Sequence, residues 1–333
     1  MADVTTTAGV RRAAARRAVA LFLVLGIVVP AAVAWLGVGR VLDLQQSVTL
    51  APASVPAGPV FSTSGRPETL RLASVSALET RFRLENYTLD SVRSGGSLPP
   101  LMLRRLPKDW ATEMPVDKRK SLFFRTLLPL VMLANREVAL DRQTLLDLRG
   151  RIGHLSSGQA RTLADLAQRY QVDLPPRDEH GQRDWTALDW MRLLRRADTV
   201  PSSLALAQGA LESGWGRSRF AQQGNALFGQ WTWEPGAGMV PEGREEGKTH
   251  AVRRFDSLMA SVRGYIRNIN TANAYRELRQ RRAALRASGT LVTGRDLAGH
   301  LTRYSEEGAD YVKKVRAMIS ANRLAGFDGL ARR

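Results

Sequence analysis

The chain has 333 residues, room for one large domain or two small ones, and carries 49 Lys and Arg against 31 Asp and Glu, a formal net charge of +18. It contains no cysteine, which excludes a disulfide framework and any thiolate metal site. His154, His180, His250 and His300 are scattered without metal-ligand spacing, so neither a metal nor a cofactor is expected. A basic surface suits nucleic acid or the anionic polymers and lipids of a cell envelope. The arginines run along most of the chain with no nucleic-acid motif beside them, so nucleic acid is not the expected partner.

Arg11, Arg12, Arg16 and Arg17 form a basic tail over residues 1–17, followed by an uncharged, mostly apolar run over 18–39. At about 1.5 Å per residue that run can cross the ~30 Å hydrocarbon core. Arginines on its N-terminal side predict that this end stays cytoplasmic. The rest of the chain is then expected to face the periplasm or wall from a single-pass anchor in the cytoplasmic membrane. The competing reading is a cleaved signal peptide with Ala32-Val33-Ala34 as the cleavage site; the length of the run favours the anchor. Residues 40–100 are rich in Pro, Ser and Gly, as in Ala51-Pro-Ala-Ser-Val-Pro-Ala-Gly-Pro59 and Ser94-Gly-Gly-Ser-Leu-Pro-Pro100, and read as a linker with short extended pieces.

From Asp117 the pattern turns helical. Leu122, Phe123, Leu127, Leu130, Val131, Ala134 and Val138 recur at three- and four-residue intervals, with Pro129 expected to interrupt and kink the helix. A second helix is predicted from Ser157 to Tyr170, and a third from Asp184 or Thr186 to Ala197. These make up a helical region over 101–197, ahead of a core over 198–326. Past Trp233, a glycine-rich stretch and the polar run into Phe255 predict a two-stranded lobe with a mobile turn. Ser257 opens a helix with Met259, Val262, Ile266 and Ile269 in one stripe. Helices over 274–287, 294–304 and 309–324 complete a mainly helical α+β chain.

Within the core, Pro201 and Ser202 start a small, apolar helix that carries one carboxylate, Glu212, near its end. Gln208, Gly209 and Ala205 share the face of Glu212, and the two small residues are expected to leave open space beside it for a ligand. Ser213-Gly-Trp-Gly216 supplies a left-handed stop. A carboxylate at a helix C-terminus beside a Trp is disfavoured as an anion by the helix dipole and by desolvation, conditions that suit a general acid. The plainer reading is an ion pair with Arg217 or Arg219.

Glu212-Ser-Gly-Trp-Gly-Arg-Ser218 followed by Gly224-Asn-Ala-Leu-Phe-Gly-Gln-Trp231 resembles the signature of the bacterial glucosaminidase family, glycoside hydrolase family 73, and the second word resembles its Bax-like branch. Leu106-Pro-Lys-Asp, Phe124-Arg-Thr-Leu-Leu-Pro-Leu and Ala134-Asn-Arg-Glu extend the resemblance over roughly residues 98–325. It implies a lysozyme-like helical domain with a small β-hairpin lobe, and it implies peptidoglycan glycan strands as the partner. Tyr304-Ser-Glu-Glu-Gly-Ala-Asp-Tyr311 looks like the tyrosine box of that family without its threonine and aspartate. By that likeness Tyr304 joins Glu212 in catalysis, and Tyr311 is structural. Ser213, Trp215, Asn225, Phe228, Gln230 and Trp231 are the expected substrate-binding residues, through stacking on sugar faces and amide contacts.

The family's second carboxylate lies on the hairpin, where this chain has Lys248-Thr-His-Ala-Val252 with His250 in its place. Glu245, Glu246 or neither could take that role; without one, the substrate's own 2-acetamido group can assist. The expected activity is cleavage of the β-1,4 bond after N-acetylglucosamine in peptidoglycan. A lytic transglycosylase on the same glycan and an inactive envelope-binding scaffold are the alternatives.

Overall fold

The computed structural model describes residues 67–242, 247, 249–304 and 307–330. Strand β1 (Glu68–Leu70) already belongs to the folded body. Helices α1 (Val75–Leu84) and α2 (Leu89–Arg93) follow, and β2 (Leu101–Leu103) pairs in parallel with β1, Glu68 opposite Leu101 and Leu70 opposite Leu103. The linker expected over 40–100 is therefore folded from Glu68 onward. Its helices are capped by Ser74 and Thr88 and bury Val75, Leu78, Phe82 and Val92. Pro, Ser and Gly outweighed a short apolar periodicity there.

Helix α3 (Val116–Arg149) is the longest element. It runs through Pro129 without a break, which corrects the expected interruption. Proline has no N–H to give the carbonyl four residues back, that of Arg125. The hydroxyl of Tyr87, from the chain before β2, donates to this carbonyl at 3.1 Å, and Arg125 Nη1 returns a bond to the Tyr87 carbonyl at 3.3 Å. Tyr87 is buried edge-on against Phe82. The supposed linker thus repairs the bond the proline removes.

Helix α4 (Ser157–Arg169) starts with a capping box between Ser156 and Gln159. Only one turn forms at Trp185–Ala187 before α5 (Trp190–Arg196), which Asp189 caps. Leu145 and Leu148 of α3 pack with Leu163, Leu166, Trp190 and Leu193 in a small core of their own. The main core joins buried residues between Leu70 and Trp110 and the first half of α3 to buried residues over 200–228 and 258–330.

Helix α6 (Ser202–Ser213) is followed by α7 (Arg219–Gly224) and then β3 (Trp231–Thr232), β4 (Gly238–Met239) and β5 (Ala251–Arg253). These form an antiparallel sheet in the order β3-β5-β4, one strand more than expected. The third strand fits because Gly238 lacks a side chain; a Cβ there would lie 2.6 Å from that of Ala251. Helices α8 (Leu258–Thr271), α9 (Arg276–Ala287), α10 (Gly294–Ala298) and α11 (Ala309–Ala321) complete a mainly helical fold with two small sheets. Asp328 then closes the C-terminal segment onto α6. Its carboxylate accepts from Ser203 N (2.8 Å), Ser203 Oγ (2.6 Å) and Gly294 N (3.0 Å).

Among the described residues no helix is long and apolar enough to cross a membrane, and the expected span over 18–39 lies outside them. Tyr87→Phe keeps the ring and removes the donor to Arg125. It is expected to cost about 1–2 kcal/mol in urea unfolding; an unchanged midpoint would show that the carbonyl does not depend on Tyr87.

Candidate active site

Glu212 stands half-buried in the last turn of α6, where the helix is otherwise enclosed from Ser202 to Ala210. The chain leaves the helix through three consecutive residues at positive φ, Gly214 (55°), Trp215 (61°) and Gly216 (79°). Ser213 builds this stop. Its hydroxyl donates to Gly209 O (2.5 Å) and accepts from Gly216 N (2.8 Å). Ser213 is fully buried and engaged with backbone, so its hydroxyl caps the helix end.

Among the described residues the Glu212 carboxyl forms no ion pair; Arg219 pairs instead with Glu242 at 3.2 Å. Its partner is Tyr311, whose hydroxyl donates to Oε1 at 2.7 Å. The other oxygen, Oε2, faces Gly229, a residue at φ +60° where a Cβ would lie 3.2 Å from it. Desolvation pushes the Glu212 pKa above the ordinary range. The hydrogen bond from Tyr311 opposes that rise, and the negative charge of Glu307 adds to it. The helix C-terminus acts in the same direction as burial.

Tyr311, read as structural, touches the acid. Tyr304 donates to the backbone carbonyl of Phe228 at 2.9 Å and stacks on the ring of Tyr311, with centroids 5.2 Å apart. The spacing of the tyrosine box could not reveal this, because the placement of α11 against α6 decides which ring reaches Glu212.

The space expected beside Gly209 is filled. A Cβ on Gly209 would lie 2.8 Å from Leu127 and 3.3 Å from Phe228, so the small face of α6 receives α3 and Phe228, not a ligand. Phe228 is buried and stacked on Tyr265 at 4.1 Å, a core residue. Trp215 points its ring edge-on at Phe123 and Phe124 and offers its carbonyl to Trp110 Nε1 at 2.9 Å, so it anchors the helix stop to α3. Asn225 is buried at φ +52°, ends α7 and donates to Phe255 O at 2.8 Å. The Gln230 carbonyl accepts from Arg253 N, and its side-chain Oε1 is buried toward Gly264. In the structure the contacts of these four run into the fold, and the sugar-binding roles expected of them stay expectations.

Trp231 is different. It is 51% exposed on β3, Trp233 two residues on is 70% exposed, and Thr232 between them is buried, so both indoles lie on one outer face of the lobe. The His250 ring meets Trp231 at 4.1 Å. Glu245 and Glu246 lie outside the described residues. The sequence reading missed Tyr265. It noted Gln208 only as a neighbour of Glu212, yet a lone amide in an apolar helix at position i−4 from the acid was a usable signal. No group of residues among those described could hold a metal ion.

A family model described as mannosyl-glycoprotein endo-beta-N-acetylglucosaminidase matches residues 189–324, which contain Glu212, Tyr304 and Tyr311. Protein bax of Escherichia coli (strain K12) is 31% identical over 238 residues, 72% of this chain and 78% of that protein. The catalytic domain of the autolysin Auto from Listeria monocytogenes matches 72% of this chain and 98% of its own at 16% identity, with a TM-score of 0.35, too low to support an argument.

The geometry makes a prediction that needs no substrate. In a 13C titration of labelled glutamate, Glu212 should titrate above the usual value of about 4.3. Tyr311→Phe should move it higher still, because the bond that favours the anion is gone. A value at or below 4.3 in the parent would contradict this description of the site.

Proposed function

Because this chain belongs to the Bax-like glucosaminidase family, we propose that it is a peptidoglycan hydrolase that cleaves the β-1,4 bond after N-acetylglucosamine, with Glu212 as general acid. The observation that carries the reading is the state of Glu212: half-buried, free of any described ion pair, and held at one oxygen by a neutral phenol. A general acid must keep its proton at the working pH, and burial raises the Glu212 pKa in that direction. The proton leaves from the carboxyl to the glycosidic oxygen as the bond breaks. Tyr311 keeps its own proton and steadies the carboxylate that forms. Tyr304 supports Tyr311 from behind.

Trp231 and Trp233 offer the aromatic faces on which sugar rings stack, on the lobe reached two and four residues after Gly229. A lysozyme-like arrangement, with the acid at the end of a buried helix near a small sheet, belongs to the same reading. The reaction is completed either by a carboxylate or by the substrate's acetamido group. Glu245 and Glu246 are the candidates for that carboxylate, and activity kept when both are changed to Gln would leave the acetamido route. The apolar run over 18–39 supports a membrane-anchored body outside the cytoplasm, where the wall is.

One observation favours a scaffold that binds glycan without cutting it: His250, not an acid, lies against Trp231. Digestion of purified peptidoglycan by the full chain and by Glu212→Gln decides. Reducing N-acetylglucosamine ends are expected from the parent, with the variant at least ~10²-fold slower. Anhydro ends would make the protein a transglycosylase. Binding with no product from either would make it a scaffold.

A further inference from the structure

Three hydrogen bonds join α8, α6 and α11 into one directed chain that ends on the acid. The Tyr265 hydroxyl donates to Gln208 Oε1 at 2.7 Å, Gln208 Nε2 donates to the Tyr311 hydroxyl at 3.0 Å, and Tyr311 donates to Glu212 Oε1 at 2.7 Å. Gln208 and Tyr265 are fully buried and Tyr311 nearly so. The amide sets the direction of the chain: a phenol can both give its one proton and accept, whereas an amide oxygen only accepts and its nitrogen only donates. Tyr265 stacks on Phe228 and places its hydroxyl on the amide oxygen. With the amide in this orientation, its nitrogen occupies the lone pair of Tyr311, and Tyr311 gives its proton to Glu212.

We propose that Gln208 is a positioning residue: by fixing the Tyr311 proton on Oε1 of Glu212, it confines the acid's own proton to Oε2, the oxygen beside Gly229. Gly229 leads directly into Gln230 and the exposed Trp231, so Oε2 faces the segment that carries the stacking indole. If the amide were reversed, its oxygen would take the Tyr311 proton. Oε1 of Glu212 would then face a lone pair of Tyr311, which would draw the acid's proton to Oε1, away from Gly229. No proton passes along the chain during the reaction. The one transferred proton moves from Oε2 to the leaving oxygen, and the chain holds the other oxygen as an acceptor before and after.

This inference rests on the general-acid reading, and its test separates the two. Gln208→Leu removes both contacts of the amide, and Tyr265→Phe removes only the anchor that orients it without repacking the helix. Losing the amide donor weakens the bond Tyr311 makes to the carboxylate, since linked hydrogen bonds reinforce one another. In the 13C titration, Glu212 should therefore titrate higher in Gln208→Leu and, by less, in Tyr265→Phe. On peptidoglycan, Gln208→Leu should lower kcat by at least about tenfold, part of the ~10²–10⁴ a general acid contributes, with KM within about twofold. If Gln208→Leu does not fold, Tyr265→Phe carries the test. Glu212 titrating as in the parent in each variant that folds would overturn the proposal, and so would a raised KM with kcat intact. A parent that turns nothing over would overturn the general-acid reading alone, since the titration still reports on the orientation of Gln208.

Discussion

The structure depends on the close approach of α6 to α3 at Gly209, where no side chain larger than hydrogen fits between Leu127 and Phe228. With that contact made, α6 is enclosed along most of its length and its last turn is fixed in space. Side chains then tie each end of the helix. Asp328 holds the first turn through Ser203, and Ser213 stitches the last turn to Gly216. A helix held in this way can carry a carboxyl group at its exit without letting it swing to the nearest arginine. The fold supplies the position, and burial shifts the carboxyl toward its protonated form.

The same enclosure makes the polar groups inside it costly unless each is satisfied. Gln208 is the test of this rule, an amide placed among alanines and leucines and fully buried. It is met on both sides by phenols, and one of those phenols meets the acid. Burial, directed hydrogen bonding and the charge state of Glu212 are therefore one problem with one solution. The Asp328 carboxyl shows the other outcome of similar burial. Its pKa is pushed up to about 6 by desolvation against the three donors it holds, and it serves as a clasp.

The helical character, the extent of α6 and the left-handed stop after it were legible in the sequence, because each follows from local periodicity and capping. What failed was long-range. Gly209 reads from the sequence as empty space and is in fact where another helix arrives. Ser213, Trp215, Asn225 and Phe228 are polar or aromatic residues near a signature, and nothing local shows that their contacts run inward. Which phenol reaches Glu212 is long-range too, since it is set by the packing of α11. Residues 68–103 were misjudged on composition, although Ser74 and the spacing of Val75, Leu78 and Phe82 already carried a capped amphipathic helix.

The central claim is that Glu212 acts by giving its proton to a leaving oxygen, and it can be tested by removing the need for that proton. An aryl glycoside of the N-acetylglucosamine-containing disaccharide with a dinitrophenol leaving group departs as a stable anion and needs no acid. Comparing Glu212→Gln with the parent on this compound and on the natural glycan isolates the step. The account predicts a deficit of at least ~10²-fold on the glycan that shrinks below about tenfold on the activated compound. An equal loss on both would contradict it, and would leave Glu212 a structural or binding residue instead of the acid.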